Sequence, residues 1–150
     1  IEAAHKPYHE ALAALIADAQ AAHGFAILVD WHSMPAAAAR AGTRDRPSDI
    51  VLGDRFGAAC AGVLPTRVER ELEALGYRVA RNTPYAGGYT TEHYGQPGRR
   101  VHALQVEMNR ALYLDEATLT PTSGFERLRS HLDQLTRTLA AADWSALKAA

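Results

Sequence analysis

The feature that most constrains the fold is an unbroken run of five apolar residues, Phe25 to Val29, directly after a glycine. Before this run, apolar residues recur at three- and four-residue steps, as on one face of a helix, and His23-Gly24 is a typical helix end. An apolar run without polar alternation is typical of a strand that is covered on both faces. We therefore predict a helix over residues 1–23 and then a buried strand over 25–29.

The rest of the chain alternates between the same two kinds of pattern. Thr66 and Glu69 have the spacing of a capping box, which predicts a helix that begins at Thr66 and ends at Leu75. Further patterns predict strands over 50–52, 77–80 and 101–108, one helical turn at 89–95 and a final helix over 123–140. Helices that alternate with strands predict one α/β domain in three layers (α/β/α), with helices on both faces of a mostly parallel or mixed sheet.

Size and composition exclude several classes of protein. The 150 residues, 47% of them hydrophobic, suffice for one ordinary domain and not for two. The net charge is −1, so we expect neither nucleic acid nor a membrane surface as the partner. A single cysteine rules out an internal disulfide, and no apolar stretch reaches the ~20 residues of a membrane span. We therefore expect a small-molecule substrate and a cytoplasmic location, while the oligomeric state stays open.

Asp30 and His32 stand at the end of the first predicted strand. Residues two apart on an extended chain point the same way, so both side chains leave one face at the carboxyl end of the strand, where α/β sheets commonly bind ligands. One interpretation is structural: Asp30 accepts from a loop amide and His32 is a hydrogen-bonded core histidine. The other is functional: His32 is a metal ligand that Asp30 supports. Spacing alone favours neither.

Glu107 presents the same choice near the end of the strand predicted over 101–108. Alternation places Gln105 and Glu107 on one face of that strand. A single glutamate in this position commonly forms a salt bridge with a neighbouring cation, here Arg110. The functional alternative is a general base beside a metal-bound water.

The remaining histidines and the cysteine give weaker signals. His5 and His9 have the i, i+4 spacing of a helical ligand pair, but without the glutamate of an HExxH motif we predict a solvated helix face. His93 and His102 are further candidates for a site. Cys60 has no evident paired base and is predicted to be a small buried residue. The chain has no GxGxxG, P-loop or GxSxG motif, so nothing supports nucleotide binding or a serine nucleophile.

Four segments in the same order resemble one known family. They are DWHSMP (30–35), DIVLGDRFGAAC (49–60), NTPYAGGYTTEHYGQP (82–97) and HALQVEMNRALYLDE (102–116). Together they strongly resemble the N-formylglutamate amidohydrolases. That family looks related to the zinc carboxypeptidases and acylases, so the resemblance implies a zinc-carboxypeptidase-like (phosphorylase/hydrolase-like) fold.

The resemblance implies roles for two residues near the strand ends. His32 is expected to bind zinc, because in the wider group the last zinc-ligating histidine stands at the end of a strand before a small polar residue. Glu107 is expected to act as general base and acid. Asp30 keeps the role that its strand position suggests, as a group that supports His32 or orders the loop. Zinc lowers the pKa of its bound water to about 7. The implied chemistry is metal-assisted hydrolysis of an amide.

The resemblance also implies residues that contact the substrate. Tyr94, or as a second choice His93, is expected to touch it, because in the wider group a tyrosine follows a Gly-Gly segment such as Gly87-Gly88. Arg55 or Arg110 is expected to bind a substrate carboxylate, because a guanidinium matches that group with two parallel hydrogen bonds. Either arginine also fits an exposed structural ion pair.

The implied activity is hydrolysis of N-formyl-L-glutamate to formate and L-glutamate, in histidine degradation. Two alternatives stay open. A related zinc-dependent deacylase or peptidase would use the same residues on another N-acyl amino acid. A non-catalytic domain would keep the fold without a complete metal site.

One departure from the family concerns the metal. The family has an additional N-terminal portion, and in the related zinc hydrolases a histidine and an acidic residue from that portion complete the metal site. A catalytic zinc needs three protein ligands and a water, and this chain supplies one, His32. We therefore expect residues 1–150 to be one domain, the C-terminal part of a longer catalytic domain. Alone, it is expected to bind zinc weakly or not at all and to be inactive.

Overall fold

The computed structural model describes residues 3–40 and 46–148. Its helices are α1 (His5–His23), α2 (Val63–Ala74), α3 (Tyr89–Tyr94) and α4 (Gly124–Ala140). Its strands are β1 (Ala26–Met34), β2 (Ile50–Gly53), β3 (Val79–Arg81), β4 (Val101–Asn109), β5 (Leu114–Asp115) and β6 (Thr120–Pro121). Within these described ranges, no helix has both the length and the apolar character that crossing a membrane requires.

Four strands form one mixed sheet in the order β1-β4-β2-β3. Strand β4 is parallel to β1 and antiparallel to β2, and β3 is parallel to β2. Strand β4 lies between two other strands and is covered on both faces, so eight of its nine residues are buried. The α/β class with a mixed sheet is therefore confirmed. Strands β5 and β6 pair separately as a short antiparallel hairpin.

Helices lie against both faces of the sheet. On one face, α2 and α4 pack on Leu104 and Val106 of β4 and form the main hydrophobic core. On the other face, the loop that leads into α3 reaches Gln105, to which the backbone N–H of Gly88 donates over 2.7 Å. The first face is apolar and the second carries polar side chains, so the second face is where a site can form.

Strand β1 continues five residues beyond the predicted end at Val29. Polar residues after an apolar run look like the start of a loop in a single sequence. In the structure they pair residue by residue with β4, from Asp30 opposite Gln105 to Met34 opposite Asn109. The strand prediction ended too early because pairing with β4, and not apolar character, holds this half of the strand extended.

The predicted capping box at the start of α2 is wrong. The helix begins at Val63, and Pro65 lies in its first turn, where its missing N–H costs nothing. Thr66 is therefore already inside the helix. Its hydroxyl accepts from Arg81 of β3, and Glu69 forms a salt bridge with the same guanidinium. The two residues connect the helix to the sheet instead of capping the helix.

The first and last helices form near their predicted positions. Helix α1 ends at Gly24, which has a φ of 81°, the left-handed conformation that glycine adopts most readily. No residue of α1 is buried, and Leu15 is 67% exposed, so its apolar stripe packs less completely than the spacing predicts. In α4, Leu128 and Leu135 are buried, while Phe125 at the start of the stripe is exposed.

Candidate active site on the polar face of the sheet

Four polar side chains lie together on the sheet face opposite the main core. Asp30 and His32 come from β1, and Gln105 and Glu107 come from β4. Parallel pairing puts Asp30 opposite Gln105 and His32 opposite Glu107. Because the two residues of each strand are two positions apart, all four side chains point to the same side. The prediction that each pair shares a strand face is confirmed.

The carboxylate of Asp30 lies against the ring of His32. Oδ1 of Asp30 lies 3.0 Å from Nε2 of His32. The Asp30 side chain is 17% exposed and the His32 side chain 48%, so the carboxylate holds the ring from the sheet side while the ring reaches solvent. With Nε2 engaged, Nδ1 is the ring nitrogen that a ligand would meet. The arrangement fits support of His32 by Asp30, and the metal role of His32 stays a prediction.

Glu107 is a buried carboxyl, and one of its two oxygens has no hydrogen-bond partner among the described residues. The residue is 6% exposed, and its Oε1 accepts a hydrogen bond from Nε2 of Gln105 at 2.9 Å. Oε2 is buried and has no hydrogen-bond partner among the described residues. Burial raises the pKa of the Glu107 carboxyl above its ordinary value, and Asp30 adds to the rise, although His32, Gln105 and Arg110 lower it in part. A raised pKa suits a group that accepts and returns a proton near neutral pH.

Gln105 connects Glu107 to the loop that contains Gly87 and Gly88 (the glycine loop), which lies above this face of the sheet. Its Oε1 accepts from the backbone N–H of Gly88 at 2.7 Å, and the residue is 4% exposed. The loop lies close to β2 because residue 53 is glycine: a Cβ there would stand 2.6 Å from the backbone nitrogen of Gly87. In the sequence, Gln105 is recognisable only as a neighbour of Glu107 on one strand face. Its bond to the loop depends on a tertiary contact that spacing does not reveal.

Arg110 directly follows β4, which ends at Asn109. Its Nε donates to Oγ of Ser33 and its Nη2 to the carbonyl oxygen of Ser33, both at 3.2 Å. It is also one of the groups that lower the pKa of Glu107. Among the described residues no hydrogen bond or salt bridge joins Arg110 to Glu107, and the guanidinium is held by Ser33.

Arg55 occupies a different place, on the loop after β2. Its Nη2 lies 2.8 Å from Oε1 of Glu92, and its Nη1 donates to the carbonyl oxygen of Gly87 at 3.4 Å. Arg55 and Phe56 both have positive φ angles, 56° and 55°, which ordinary side chains rarely adopt. Asn82 supports this loop, because its Oδ1 accepts from the backbone N–H of Phe56. The guanidinium of Arg55 is therefore already paired with α3.

Tyr94 and His93 lie in a separate cluster between α1 and α3. The hydroxyl of Tyr94 is 2.7 Å from Nδ1 of His9 and also donates to the His9 carbonyl oxygen. The His93 ring stacks on Tyr89, with ring centroids 5.0 Å apart. His5 is exposed and its ring lies 4.2 Å from that of His9, centroid to centroid. The structure thus does not bring Tyr94 together with Glu107, and its substrate role stays a prediction.

His102 and Cys60 do not belong to the polar face. His102 is fully buried on the core side of β4, where its Nδ1 accepts from the backbone N–H of Ala61 at 3.2 Å. The possibility that His102 joins the site is therefore wrong, because its side chain points to the opposite face. Cys60 is 2% exposed, and burial raises the pKa of its thiol to about 12. The prediction of a small buried cysteine is confirmed.

The donor set for a metal is incomplete. Within residues 3–40 and 46–148, no group of three or more histidine, cysteine, aspartate or glutamate side chains is arranged to hold a metal ion. A catalytic zinc takes three protein ligands and a water. His32 offers one ring nitrogen, Nδ1, and the nearest carboxylate, Asp30, already contacts Nε2 of the same ring. The described residues alone therefore do not fit a zinc site.

Comparisons with known proteins point to one family. The protein-family model for N-formylglutamate amidohydrolase matches residues 1–114. A protein named N-formylglutamate deformylase from Pseudomonas aeruginosa is 38% identical over 111 residues, which cover 73% of this chain and 41% of that protein. One of the same name from Pseudomonas putida is 33% identical over 117 residues, 77% of this chain and 43% of that protein.

A solved structure agrees with these sequence matches. The crystal structure of N-formylglutamate amidohydrolase from Ralstonia eutropha JMP134 is similar with a TM-score of 0.84 and 40% sequence identity. The similarity covers 91% of this chain and 50% of that chain. The chain thus spans less than half the length of the two curated relatives and half the length of the solved structure.

Proposed function

Because the chain belongs to the N-formylglutamate amidohydrolase family, we propose that the protein hydrolyses N-formyl-L-glutamate to formate and L-glutamate. The observation that carries this proposal is Glu107. It is a buried carboxyl on the polar face of the sheet, next to His32 and Asp30, and its Oε2 has no hydrogen-bond partner among the described residues. A group of this kind is what amide hydrolysis needs as a base.

In the proposed reaction Glu107 first accepts a proton and later donates the same proton. It takes a proton from the attacking water, and the water oxygen forms a bond to the formyl carbon. When the bond between that carbon and nitrogen breaks, Glu107 gives the proton to the leaving nitrogen of glutamate. The buried position of Glu107 favours this role, since burial raises the pKa of its carboxyl and so eases its protonation during the cycle.

Arg110 is the proposed partner of a substrate carboxylate. It directly follows the strand that carries Glu107, and a guanidinium pairs with a carboxylate through two parallel hydrogen bonds. Arg55 is the second choice, because its guanidinium would first have to leave the charged Glu92, whereas among the described residues Arg110 binds only the neutral oxygens of Ser33. Tyr94 and His93 stay proposed substrate contacts. For Tyr94 the contact requires its hydroxyl to leave His9.

Zinc is the proposed cofactor, with His32 as a ligand and Asp30 as the group that orients its ring. The described residues do not complete a three-ligand set, so no step above passes through the metal. Metal analysis of the full-length protein and of His32→Ala tests the assignment. We expect less zinc per protein in the variant, and equal zinc content would contradict the role of His32.

Three finer statements belong to the same proposal. They are a fold like that of the zinc carboxypeptidases, a step in histidine degradation, and a cytoplasmic location. All three come from the family resemblance and from composition, and the observed mixed α/β sheet is compatible with the first.

The test of the proposed function is an assay of formate release by the purified full-length protein. We expect kcat/KM to be highest for N-formyl-L-glutamate, lower for N-acetyl-L-glutamate and lowest for a glutamyl dipeptide. Glu107→Gln should keep the fold and lose turnover by about a hundredfold or more. The matched control is Glu73→Gln, on the exposed end of α2, which should behave like the wild type. Full turnover by Glu107→Gln, or a preference for acetyl over formyl substrate, would overturn the proposal.

A further inference from the structure

The amide of Gln105 has only one possible orientation in this fold. One end of the amide lies 2.7 Å from the backbone nitrogen of Gly88, and the other lies 2.9 Å from Oε1 of Glu107. A backbone N–H can only donate a hydrogen bond, so the amide end that faces Gly88 is the oxygen. The end that faces Glu107 is then the nitrogen. The main chain of the glycine loop thus decides which group of Gln105 meets Glu107.

This orientation makes the two oxygens of Glu107 unequal. Oε1 accepts an N–H from Gln105, and a proton on Oε1 would point at that donor. Oε2 faces no donor among the described residues, although it is buried. A proton on Glu107 therefore belongs on Oε2. Oε1 thus holds the Glu107 carboxyl in position, and Oε2 is the oxygen that can exchange the proton.

We propose that Gln105 is a positioning residue, which holds Glu107 so that Oε2 is the oxygen that takes the proton from water and returns it to the leaving nitrogen. The inference rests on the proposed function, because it assumes that Glu107 is the base. It adds a residue to the reaction and assigns the reacting atom. It also assigns a role to the glycine loop. The backbone N–H of Gly88 holds the amide of Gln105, and that amide holds the carboxyl of Glu107.

The position of the loop is built into the sheet itself. Gly53 of β2 pairs with Gln105 of β4, so the loop lies over the site at the level of the amide. An added Cβ at Gly53 would stand 2.6 Å from the nitrogen of Gly87. A Cβ at Gly88 would stand 3.4 Å from Oε1 of Gln105. The glycines thus allow the close approach that the hydrogen bond to Gln105 needs.

Two substitutions separate the two ends of the amide. Gln105→Glu keeps an oxygen for the Gly88 N–H but replaces the amide donor by a second carboxyl beside Glu107, where the pair repels or shares one proton. Gln105→Met removes both groups at a similar length. We expect kcat to fall at least about tenfold in both variants, with KM within about threefold of wild type, because a lost hydrogen bond to a charged group is worth about that factor. Loss of kcat in Gln105→Met with KM retained supports the inference, because that variant adds no charge beside Glu107. A wild-type kcat in either variant, in which Glu107 no longer accepts the amide N–H, would overturn the inference.

Controls distinguish this outcome from a loss of fold and from failure of the proposed function. Gln134→Glu and Gln134→Met change an exposed glutamine of α4 in the same way and should keep both kcat and KM. Thermal unfolding identifies any variant that fails to fold. If Gln105→Met is unstable, the kcat of Gln105→Glu tests the inference. An inactive Glu107→Gln together with a fully active Gln105→Glu overturns the role of Gln105 alone. An active Glu107→Gln overturns the proposed function.

Discussion

Oδ1 of Asp30 lies 3.0 Å from Nε2 of His32, on the same face of one strand. The two residues are adjacent on that face because strand residues two apart point the same way. The contact of Asp30 with Nε2 leaves Nδ1 as the ring nitrogen available to a ligand. Metal-binding histidines commonly have their other ring nitrogen next to a carboxylate.

We predict that Asp30→Asn weakens zinc binding by about tenfold in the full-length protein, because the carboxylate no longer orients and polarises the ring. Competition with a chelator of known affinity measures the change, and turnover should fall with it. Asp18→Asn, an exposed substitution on α1, is the matched control and should leave both quantities unchanged. Equal zinc affinity in Asp30→Asn and wild type would contradict the role of Asp30.

We predict that Arg110 matters more than Arg55 for recognition of the substrate carboxylate. Arg110→Lys should lower kcat/KM for N-formyl-L-glutamate by about tenfold or more, since a lysine ammonium cannot form two parallel hydrogen bonds. Arg55→Lys should change kcat/KM much less, because its guanidinium binds Glu92 and Gly87. The measurement is the steady-state kinetics of both variants. A larger loss in Arg55→Lys would reverse the assignment.

Much of the sheet face could be predicted from the sequence, because period-2 alternation needs only local information. It places Asp30 with His32 and Gln105 with Glu107. It does not show that the two pairs are neighbours, or that β2 runs antiparallel to β4, because register and strand direction depend on contacts distant in the sequence.

The rest of the site depends on contacts that no local pattern contains. Arg55 looks like a free cation in a glycine-flanked loop, yet it pairs with Glu92, 37 positions away. Gln105 looks like an ordinary polar residue, yet it accepts from the Gly88 backbone. The start of α2 was misplaced for a similar reason, since Thr66 and Glu69 bind Arg81 of the sheet.

We predict that an ion pair at the start of β2 makes stability depend on pH. Arg78 donates through Nε and Nη2 to the carboxylate of Asp49, at 2.8 and 2.6 Å. Burial alone would raise the pKa of Asp49, but the hydrogen bonds and charge of Arg78 hold it below its ordinary value of 3.8. Asp49→Asn should therefore lower the free energy of unfolding by about 2 kcal/mol at pH 7.

The sign of this pH dependence follows from the lowered pKa of Asp49. The stabilisation is fully present above the pKa of the unfolded state and is lost as pH falls through the lower pKa of the folded state. The difference between wild type and Asp49→Asn should thus shrink below about pH 4. Urea unfolding at a series of pH values measures it. Asp133→Asn removes the exposed pair with Arg137 and should cost little at any pH.

We predict that Gly53→Ala impairs both stability and turnover, because residue 53 sits under the glycine loop. The new methyl group would lie 2.6 Å from the nitrogen of Gly87 and 2.7 Å from the carbonyl carbon of Ala86. Both are backbone atoms, so the loop itself must move, at a cost of about 1–3 kcal/mol. A displaced loop carries the Gly88 N–H away from Gln105, so kcat should fall as well. Gly98→Ala, where a Cβ meets no atom within 4 Å, is the control for thermal unfolding and kinetics. If Gly53→Ala matched Gly98→Ala in both measurements, the loop could not be what holds Gln105 and, through it, Glu107 in position.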